Sequence, residues 1–290
     1  MLSSVRAYVA AVSLPGMPKW QRIANAFLLR PARVAVLAAA LPVLNGFLAQ
    51  GITVIIPIRN RTAARVQELM KSLGQQTIAS GLLRVCIVDY GSDANHRKRI
   101  AGLAQRSECT VVRVEGKTEW NRSDAVNHGL RKVQTRYLLV SDADLIFEKN
   151  YLSEALKILS RSPRALVVSA MLDLPRGASP TEGGSSLSTP RLRQPFHRSI
   201  IAASLLPVLW IKGYDPAYRL WGKEDDDFFC RLISFGLRVE NVSGSARYFH
   251  QWHPKFEGMP EGNSFDDARR SNEELFSRLR RCIRSGCLCD

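Results

Sequence analysis

The sequence predicts an α/β protein whose mostly parallel sheet is flanked by helices. Short runs of β-branched apolar residues recur along the chain, as in strands buried on both faces, and amphipathic helical segments separate them. Such alternation produces parallel strands, with ligands bound beyond their carboxyl ends. The composition agrees: 290 residues, 46% hydrophobic and 23% charged, exclude a disordered, collagenous or fibrous chain.

The elements are predicted in chain order. Residues 52–57 form a continuous apolar run typical of a buried strand, and the spacing of apolar residues from Val66 to Leu73 predicts a helix. Further strands are predicted at residues 83–89, 110–114, 137–140 and 165–170, with a helix after Asn150. Residues 175–195 lack periodicity, which predicts a long loop. An apolar stretch at 200–211, a helix from Glu224 and a basic C-terminal helix follow.

The chain is strongly basic. It has 41 Lys plus Arg against 26 Asp plus Glu, a formal charge of +15. This excess fits a polyanion, an anionic membrane surface or a phosphate-bearing small substrate, and charge alone does not choose among them. The six cysteines show neither metal-ligand nor disulfide spacing, which favours a reducing compartment.

Residues 1–50 are predicted as an N-terminal extension, helical or poorly ordered. No Asp or Glu precedes Glu68, and the apolar stretch at 34–49 is shorter than the roughly 20 residues that span a bilayer. A transit segment or a membrane-surface helix is the alternative. We expect a cytoplasmic protein, with peripheral contact with an anionic membrane as the second interpretation.

Asp142 and Asp144 follow the predicted strand at 137–140. Because side chains alternate along a strand, both carboxylates lie on one side at its carboxyl end. Hard oxygen ligands there suit a divalent cation that also holds a diphosphate. The alternative is ordinary turn chemistry at the end of a strand.

Residues 221–227, Trp-Gly-Lys-Glu-Asp-Asp-Asp, place four consecutive acids behind a Trp-Gly turn. One or two acids would satisfy the dipole of the helix that follows. Four consecutive acids indicate a general base together with carboxylates that accept hydrogen bonds from hydroxyl groups. A general base is indicated because neighbouring carboxylates raise the pKa of one member of the cluster. Trp221 offers a flat ring on which a sugar can stack.

His250 and His253 are spaced so that two imidazoles can bind one metal ion. The alternative for either histidine is a partly buried side chain with an ordinary hydrogen bond. Their combination with the aspartates at 142 and 144 favours metal ligation. Arg59 and Arg61 lie directly past the first strand, where a phosphate or nucleotide would bind.

At these residues the chain resembles the metal-dependent glycosyltransferases that use nucleotide sugars. Residues 55–61 resemble the nucleotide-binding start of the β-1,4-galactosyltransferases, 120–129 their next block, 142–144 their Asp-x-Asp motif and 221–227 their Trp-Gly-Gly-Glu-Asp-Asp-Asp motif. Bacterial family-2-type enzymes share this layout, and polypeptide N-acetylgalactosaminyltransferases carry a related block. The resemblance covers about residues 52–253 in one order. It implies a GT-A-like, Rossmann-related fold with an acceptor-binding C-terminal half.

The resemblance also implies site residues. The nucleotide sugar would be bound by Pro57, Arg59, Arg61, Asp89, Arg122 and Asp142. Mn²⁺, or Mg²⁺, would be bound by Asp144, His250 and His253, with His250 in place of the family's methionine. The acceptor would contact Trp221, Gly222 and Tyr214. The base would be Asp225, with Glu224 and Asp226 beside it. Lys223 departs from the family motif, since it replaces the second glycine where bulk is poorly tolerated.

The implied function is an inverting hexosyltransferase that moves galactose or an N-acetylhexosamine from a UDP-sugar to a saccharide or glycoconjugate acceptor. The alternative is a noncatalytic nucleotide-sugar or carbohydrate-binding protein on the same fold. Nucleic acid is not an expected partner, because the basic run at 278–284 lacks interleaved aromatic residues. The predicted glycosyltransferase domain spans 51–256, with a nucleotide-sugar half at 51–172, a flexible loop at 173–199 and an acceptor half at 200–256. A basic C-terminal tail or helix follows at 257–290.

Overall fold

The computed structural model describes residues 46, 48–106, 109–178, 190–194, 198–254 and 263–285. The strands are β1 Ala49–Ile58, β2 Leu83–Tyr90, β3 Thr110–Val114, β4 Thr135–Val140, β5 Leu145–Phe147, β6 Ala165–Val168, β7 Met171–Asp173, β8 Arg191–Gln194, β9 Ile201–Ser204, β10 Arg238–Asn241 and β11 Tyr248–His250. The helices are α1 Ala63–Gly74, α2 Ala94–Arg106, α3 Arg122–Leu130, α4 Tyr151–Arg161, α5 Leu205–Trp210, α6 Glu224–Phe235 and α7 Asn263–Ser285.

A seven-stranded sheet in the order β10-β6-β9-β4-β1-β2-β3 forms the centre of the described structure. β1 pairs in parallel with β2 and β4, while β9 is antiparallel between β4 and β6. Alternate residues of β1 enter two hydrophobic cores, Ile56 on one face and Ile55 on the other. The helices cover both faces, and the predicted α/β fold with a mainly parallel sheet is confirmed.

α3 packs tightly against the sheet. A Cβ atom on Gly129 would lie 2.5 Å from a methyl carbon of Ile55 and 3.0 Å from one of Val88, so only glycine permits this close approach. At the other end of α3, the Asn121 side chain accepts a hydrogen bond from the backbone N–H of Asp124 and caps the helix. The first turn of α3 is thereby fixed at the carboxyl ends of the central strands.

A four-stranded sheet in the order β5-β11-β7-β8 lies beside the large one. β11 pairs antiparallel with β5, matching His250 with Leu145, and parallel with β7, matching His250 with Asp173. These registers bring segments about a hundred residues apart in the sequence to one edge.

The structure changes several sequence predictions. The expected loop at 175–195 contains β8, which pairs with β7, so the loop prediction is wrong for residues 191–194. The predicted strand at 165–170 ends at Val168, and the apolar stretch at 200–211 divides into β9 and α5. Cys282 is disulfide-bonded, although the spacing of the cysteines did not indicate a disulfide. Cys86, Cys109 and Cys230 are free thiols.

The structure describes a helix near the C-terminus but does not describe most of the N-terminal extension. Residues 1–45, most of the predicted N-terminal extension, lie outside the described residues, and β1 begins at Ala49. The predicted C-terminal helix is present as α7, where the side chains of Asn272 and Phe276 are buried. Within the described ranges, every helix is too short or too polar to cross a bilayer.

Candidate active site

Three ligand-type side chains meet at the edge of the small sheet. Asp144 directly precedes β5, His250 ends β11 and His253 follows three residues later. One ligand atom from each residue lies within 4.8 Å of the other two. A carboxylate and two imidazoles at this spacing fit a divalent metal ion. The structure therefore brings the three predicted metal ligands together as a candidate metal site.

The charges at this site influence one another. His253 Nε2 lies 3.1 Å from Asp144 Oδ2. Burial opposes the charge of Asp144, but the hydrogen bond with His253 and the positive charges of His250 and Arg61 lower its pKa to about 2. Burial lowers the pKa of His250, whereas the hydrogen bond with Asp144 raises that of His253. An ionised carboxylate and a neutral imidazole are the forms in which these groups bind metal.

Asp173 contacts His250, one of the candidate metal ligands. Its Oδ1 lies 3.2 Å from His250 Nδ1, and its Oδ2 accepts a 2.9 Å hydrogen bond from Arg193 Nε on β8. Arg193 Nη2 also lies 3.4 Å from His250 Nδ1, so Asp173 and Arg193 together hold the orientation of the imidazole ring. Sequence reasoning missed Asp173 and Arg193, because strands of three and four residues are too short to show a pattern.

Arg122 connects the two acidic motifs. Its side chain is 8% exposed, and Nη1 donates to Asp225 Oδ1 at 2.6 Å. Nε and Nη2 donate to Asp142 Oδ1 at 3.1 and 2.9 Å, and Nη2 also lies 3.3 Å from the carbonyl oxygen of Ser199. All three nitrogens are thus engaged by the protein. The predicted contact between Arg122 and a diphosphate requires one of these ion pairs to open.

Glu224 and Asp225 begin the acidic helix α6 next to this arginine. Glu224 is 5% exposed, and its Oε2 has no hydrogen-bond partner among the described residues. Asp225 keeps 24% of its side chain exposed. Burial raises the pKa of both carboxyls against the opposing charge of Arg122, and the charges of Glu224 and Asp142 raise that of Asp225 further. Asp225 thus combines access with raised proton affinity, as a general base requires.

Asp226 and Asp227 have arginine partners of their own. Asp226 accepts a 2.8 Å hydrogen bond from Arg198 Nη1 near the surface. Asp227 is 3% exposed and accepts from Arg231 Nε and Nη2 at 2.7 and 2.5 Å. Arg231 is four residues further along α6, so the pair lies on one face of the helix. Asp227 therefore stabilises the helix that presents the other three acids.

Asp227→Asn is expected to lower the free energy of unfolding by about 3 kcal/mol, because it leaves the largely buried guanidinium of Arg231 without its counter-charge. Urea unfolding followed by circular dichroism measures the loss. The matched control is Asp267→Asn, which breaks a pair with Arg270 whose side chains are 63% and 77% exposed. That change should cost at most about 0.5 kcal/mol. Similar small losses for both variants would contradict a structural role for Asp227.

The backbone just before α6 is left-handed at three positions. Leu220, Gly222 and Lys223 have φ values of 57°, 106° and 72°. This conformation accounts for the glycine that the family motif has at the position of Lys223, because residues with a Cβ adopt it rarely. The Lys223 side chain extends toward α7, where Nζ lies 3.4 Å from Glu273 Oε2 and 3.6 Å from Asp226 Oδ2.

The two aromatic residues predicted to bind the acceptor differ in exposure. Trp221 is 46% exposed, whereas Tyr214 is 1% exposed and stacks on Phe228 with ring centroids 3.9 Å apart. The Arg122 guanidinium lies 5.5 Å from the Tyr214 ring. Asn127 bonds both the backbone N–H and the carbonyl of Tyr214 at 2.9 and 2.8 Å. Trp221 is therefore accessible to an acceptor, while Tyr214 supports Arg122 from within the core.

A cleft of about 260 Å³ lies at the carboxyl ends of β2 and β3. Asp89, which is 2% exposed, lines it and accepts from Arg113 Nη1 at 3.4 Å and from the Ser92 N–H at 3.3 Å. This is the position at which parallel α/β sheets bind ligands. The cleft is the candidate nucleoside site, and Arg113 is a lining residue that sequence reasoning missed.

The segment after β1 connects this cleft with the candidate metal site. Pro57 is buried in β1, opposite Val88 in the register with β2. Arg59 Nη2 donates at 2.7 Å to the carbonyl of Thr118, a residue that lines the cleft. Arg61 is close enough to the carboxylate at 144 for its charge to lower that group's pKa.

Two family models match consecutive parts of the chain. The model of glycosyl transferase family 2 matches residues 53–193, and the model described as the N-terminal domain of galactosyltransferase matches residues 200–254. Together they include both acidic motifs and both candidate histidine ligands. A comparison with curated proteins finds no significant match.

Solved glycosyltransferase structures share the architecture at low sequence identity. GalNAc-T7, crystallised with UDP, GalNAc and Mn²⁺, matches with a TM-score of 0.60 and 15% identity over 81% of this chain and 51% of that one. TarS 1–349 of S. aureus with UDP-GlcNAc matches with a TM-score of 0.57 and 17% identity over 82% and 66%. The protein has a GT-A glycosyltransferase fold. The chain spans about half of the GalNAc-T7 structure's length.

The GT-A fold assembles its candidate site from distant segments. The side chains that sequence reasoning missed are arginines and one carboxylate that pair with predicted residues: Arg113, Asp173, Arg193, Arg198 and Arg231. Only Arg231 has a local signal, its i, i+4 spacing from Asp227. The other pairings cross between elements, so neither composition nor periodicity could indicate them.

Proposed function

We propose that the protein is an inverting, Mn²⁺-dependent glycosyltransferase that moves galactose or an N-acetylhexosamine from a UDP-sugar to a hydroxyl of a saccharide or glycoconjugate. The observation that carries this proposal is the connection between the candidate metal site and Asp225. Asp142 and Asp144 follow the same strand, and Arg122 bonds both Asp142 and Asp225. The UDP, GalNAc and Mn²⁺ bound to GalNAc-T7 and the UDP-GlcNAc bound to TarS support a nucleotide-sugar donor.

The donor would extend from the cleft at β2 and β3 to the candidate metal site. Asp89 and Arg113 present hydrogen-bonding groups to the nucleoside, and Arg59 and Arg61 add positive charge on the path to the diphosphate. A metal ion held by the carboxylate at 144 and the two histidines would neutralise charge on the leaving UDP. The donor set of one carboxylate oxygen and two imidazole nitrogens suits a divalent transition-metal ion, and the Mn²⁺ bound to GalNAc-T7 supports Mn²⁺ among these ions.

Asp225 would act as the base. Its Oδ1 is held by Arg122, which leaves Oδ2 for the acceptor. The acceptor hydroxyl gives its proton to Asp225 while its oxygen bonds to the anomeric carbon from the face opposite the diphosphate. The bond between the anomeric carbon and the diphosphate oxygen breaks, and UDP leaves with the electron pair. The configuration at the anomeric carbon is thereby inverted. Trp221, exposed beside α6, would contact the acceptor.

The test is a panel of UDP-galactose, UDP-N-acetylgalactosamine, UDP-glucose and UDP-N-acetylglucosamine assayed for UDP release with Mn²⁺. We expect transfer or hydrolysis with at least one donor, abolished by EDTA and restored by Mn²⁺. Absence of any metal-dependent turnover would contradict the proposal. UDP binding without product would instead support the noncatalytic alternative.

The acid limb of the pH–rate profile should depend on Glu224. Protonated Asp225 cannot accept a proton, so kcat/KM rises as the pH rises through the elevated pKa of Asp225. The groups facing this carboxyl are Arg122, Asp142, Tyr214, Glu224 and Asp226. Glu224→Gln removes one negative charge, which lowers the pKa of Asp225 and moves the acid limb to lower pH. The exposed Glu274→Gln variant should keep the wild-type profile. An unchanged limb in Glu224→Gln would exclude this coupling.

A further inference from the structure

The C-terminal helix α7 contacts the loop that carries Trp221, although both matched family models end before it, at residue 254 at the latest. Asn272 on α7 is 1% exposed, and its Nδ2 donates to the carbonyls of Arg219 and Trp221 at 2.8 and 3.2 Å. Its Oδ1 accepts from the Arg219 N–H at 3.1 Å. A single buried amide on α7 thus holds both sides of Leu220, one of the left-handed residues.

A cleft of about 540 Å³ is lined by residues of both α7 and this loop. Trp221 and Lys223 line one wall, and Asp266, Arg269 and Glu273 of α7 are on the other. The volume falls within the range of about 300–1,000 Å³ typical of small-molecule sites. The cleft therefore has the size of a ligand site and lies beside the candidate base motif.

The charged side chains that line the cleft have ion-pair partners, and Arg270, which also lines it, pairs with Asp267. Lys223 Nζ lies 3.4 Å from Glu273 Oε2, and Arg269 Nη1 lies 3.9 Å from Asp266 Oδ1. The Arg269 guanidinium lies 5.9 Å from the Trp221 ring centroid, and Trp221 is still 46% exposed. An uncharged ligand with an apolar face and many hydroxyls fits this lining, because carboxylates accept hydrogen bonds and guanidinium groups donate them. A pyranose ring has those properties.

We propose that α7 and Trp221 form a subsite for an uncharged sugar unit of the acceptor, next to the unit that receives the transferred sugar. The inference rests on the proposed glycosyltransferase function. It assigns to residues 263–285, beyond the matched family models, a part in choosing the acceptor. Acceptors of two or more sugar units would bind more tightly than single sugars, since only they reach both positions.

The probes are three pairs of a methyl β-glycoside and its disaccharide: N-acetylglucosamine with chitobiose, galactose with lactose, and glucose with cellobiose. Dissociation constants are measured by NMR titration of the full chain with UDP and Mn²⁺. At least one disaccharide should bind about tenfold more tightly than its monosaccharide, the effect of one hydrogen bond to a charged group. Glu273→Gln and Arg269→Ala should remove that preference. Glu274→Gln, the neighbouring exposed carboxylate on α7, should keep it.

Two results would overturn the subsite: no preference for any disaccharide in the wild-type protein, or a preference that persists in both Glu273→Gln and Arg269→Ala. Thermal melting of each variant shows whether it is folded. UDP affinity in the presence of Mn²⁺ is measured separately and judges the proposed function. A wild-type protein that binds UDP but shows no disaccharide preference overturns the subsite alone, whereas a wild-type protein that does not bind UDP overturns the proposed function.

Discussion

Asp225→Asn is expected to lower kcat by about 10²- to 10⁴-fold, the usual contribution of a general base. The amide keeps the size of the carboxylate, and its oxygen still accepts the hydrogen bond from Arg122 Nη1. It cannot take a proton from the acceptor at the pH of the assay. Steady-state kinetics with the best donor of the UDP-sugar panel measure the loss, and calorimetry with UDP and Mn²⁺ should show unchanged binding.

A matched control for this variant is Glu240→Gln, an exposed acid on β10 outside the candidate site. It should keep the wild-type rate. If Asp225→Asn retains turnover within a few-fold of wild type while remaining folded, Asp225 is not the base. A parallel loss of UDP binding would mean that Asp225 acts on the donor through Arg122.

Asp144→Asn is expected to raise the dissociation constant for Mn²⁺ by more than about 100-fold, because substitution of even an outer-shell partner costs about 10- to 100-fold. The amide is a weaker, uncharged ligand beside His250 and His253. Titration of the purified protein with Mn²⁺, followed by electron paramagnetic resonance, measures the affinity without any donor. Sugar transfer should fall to the level seen with EDTA.

The control for the metal site is another aspartate beside a histidine. Asp93 Oδ1 lies 2.9 Å from His96 Nδ1 at an exposed position outside the candidate metal site. Asp93→Asn should leave the Mn²⁺ affinity unchanged. Wild-type Mn²⁺ affinity in Asp144→Asn would show that the three residues do not form a metal site.

Long elements of the fold could be predicted from the sequence. β1 is a ten-residue strand with eight consecutive buried residues, and α1 buries the apolar face that its spacing indicates. The short strands β5, β7, β8 and β10 have three or four residues each and were not predicted. Segments of this length show no usable periodicity, so their pairing depends on neighbours distant in the sequence.

For the candidate site, too, some features could be predicted from the sequence and others could not. The two acidic motifs and the histidine pair were predicted because each is a local run of unusual composition. The roles of the individual acids within a motif could not be predicted in this way. Asp225 and Asp227 are two residues apart in one motif, yet one contacts Arg122 on α3 and the other Arg231 on its own helix.

The sequence by itself determined the α/β class, the strand ends at which the carboxylates gather, and the residue types suited to metal and base chemistry. These properties depend on local alternation, spacing and composition, which can be recognised directly in the sequence. Only the tertiary structure decided which charges meet. It placed His250 opposite Leu145, beside Asp144, and joined Arg122 to an aspartate 103 residues away. It also placed α7 against Trp221. Such contacts depend on strand register and helix packing, which minimise the free energy of the whole chain and leave no local pattern.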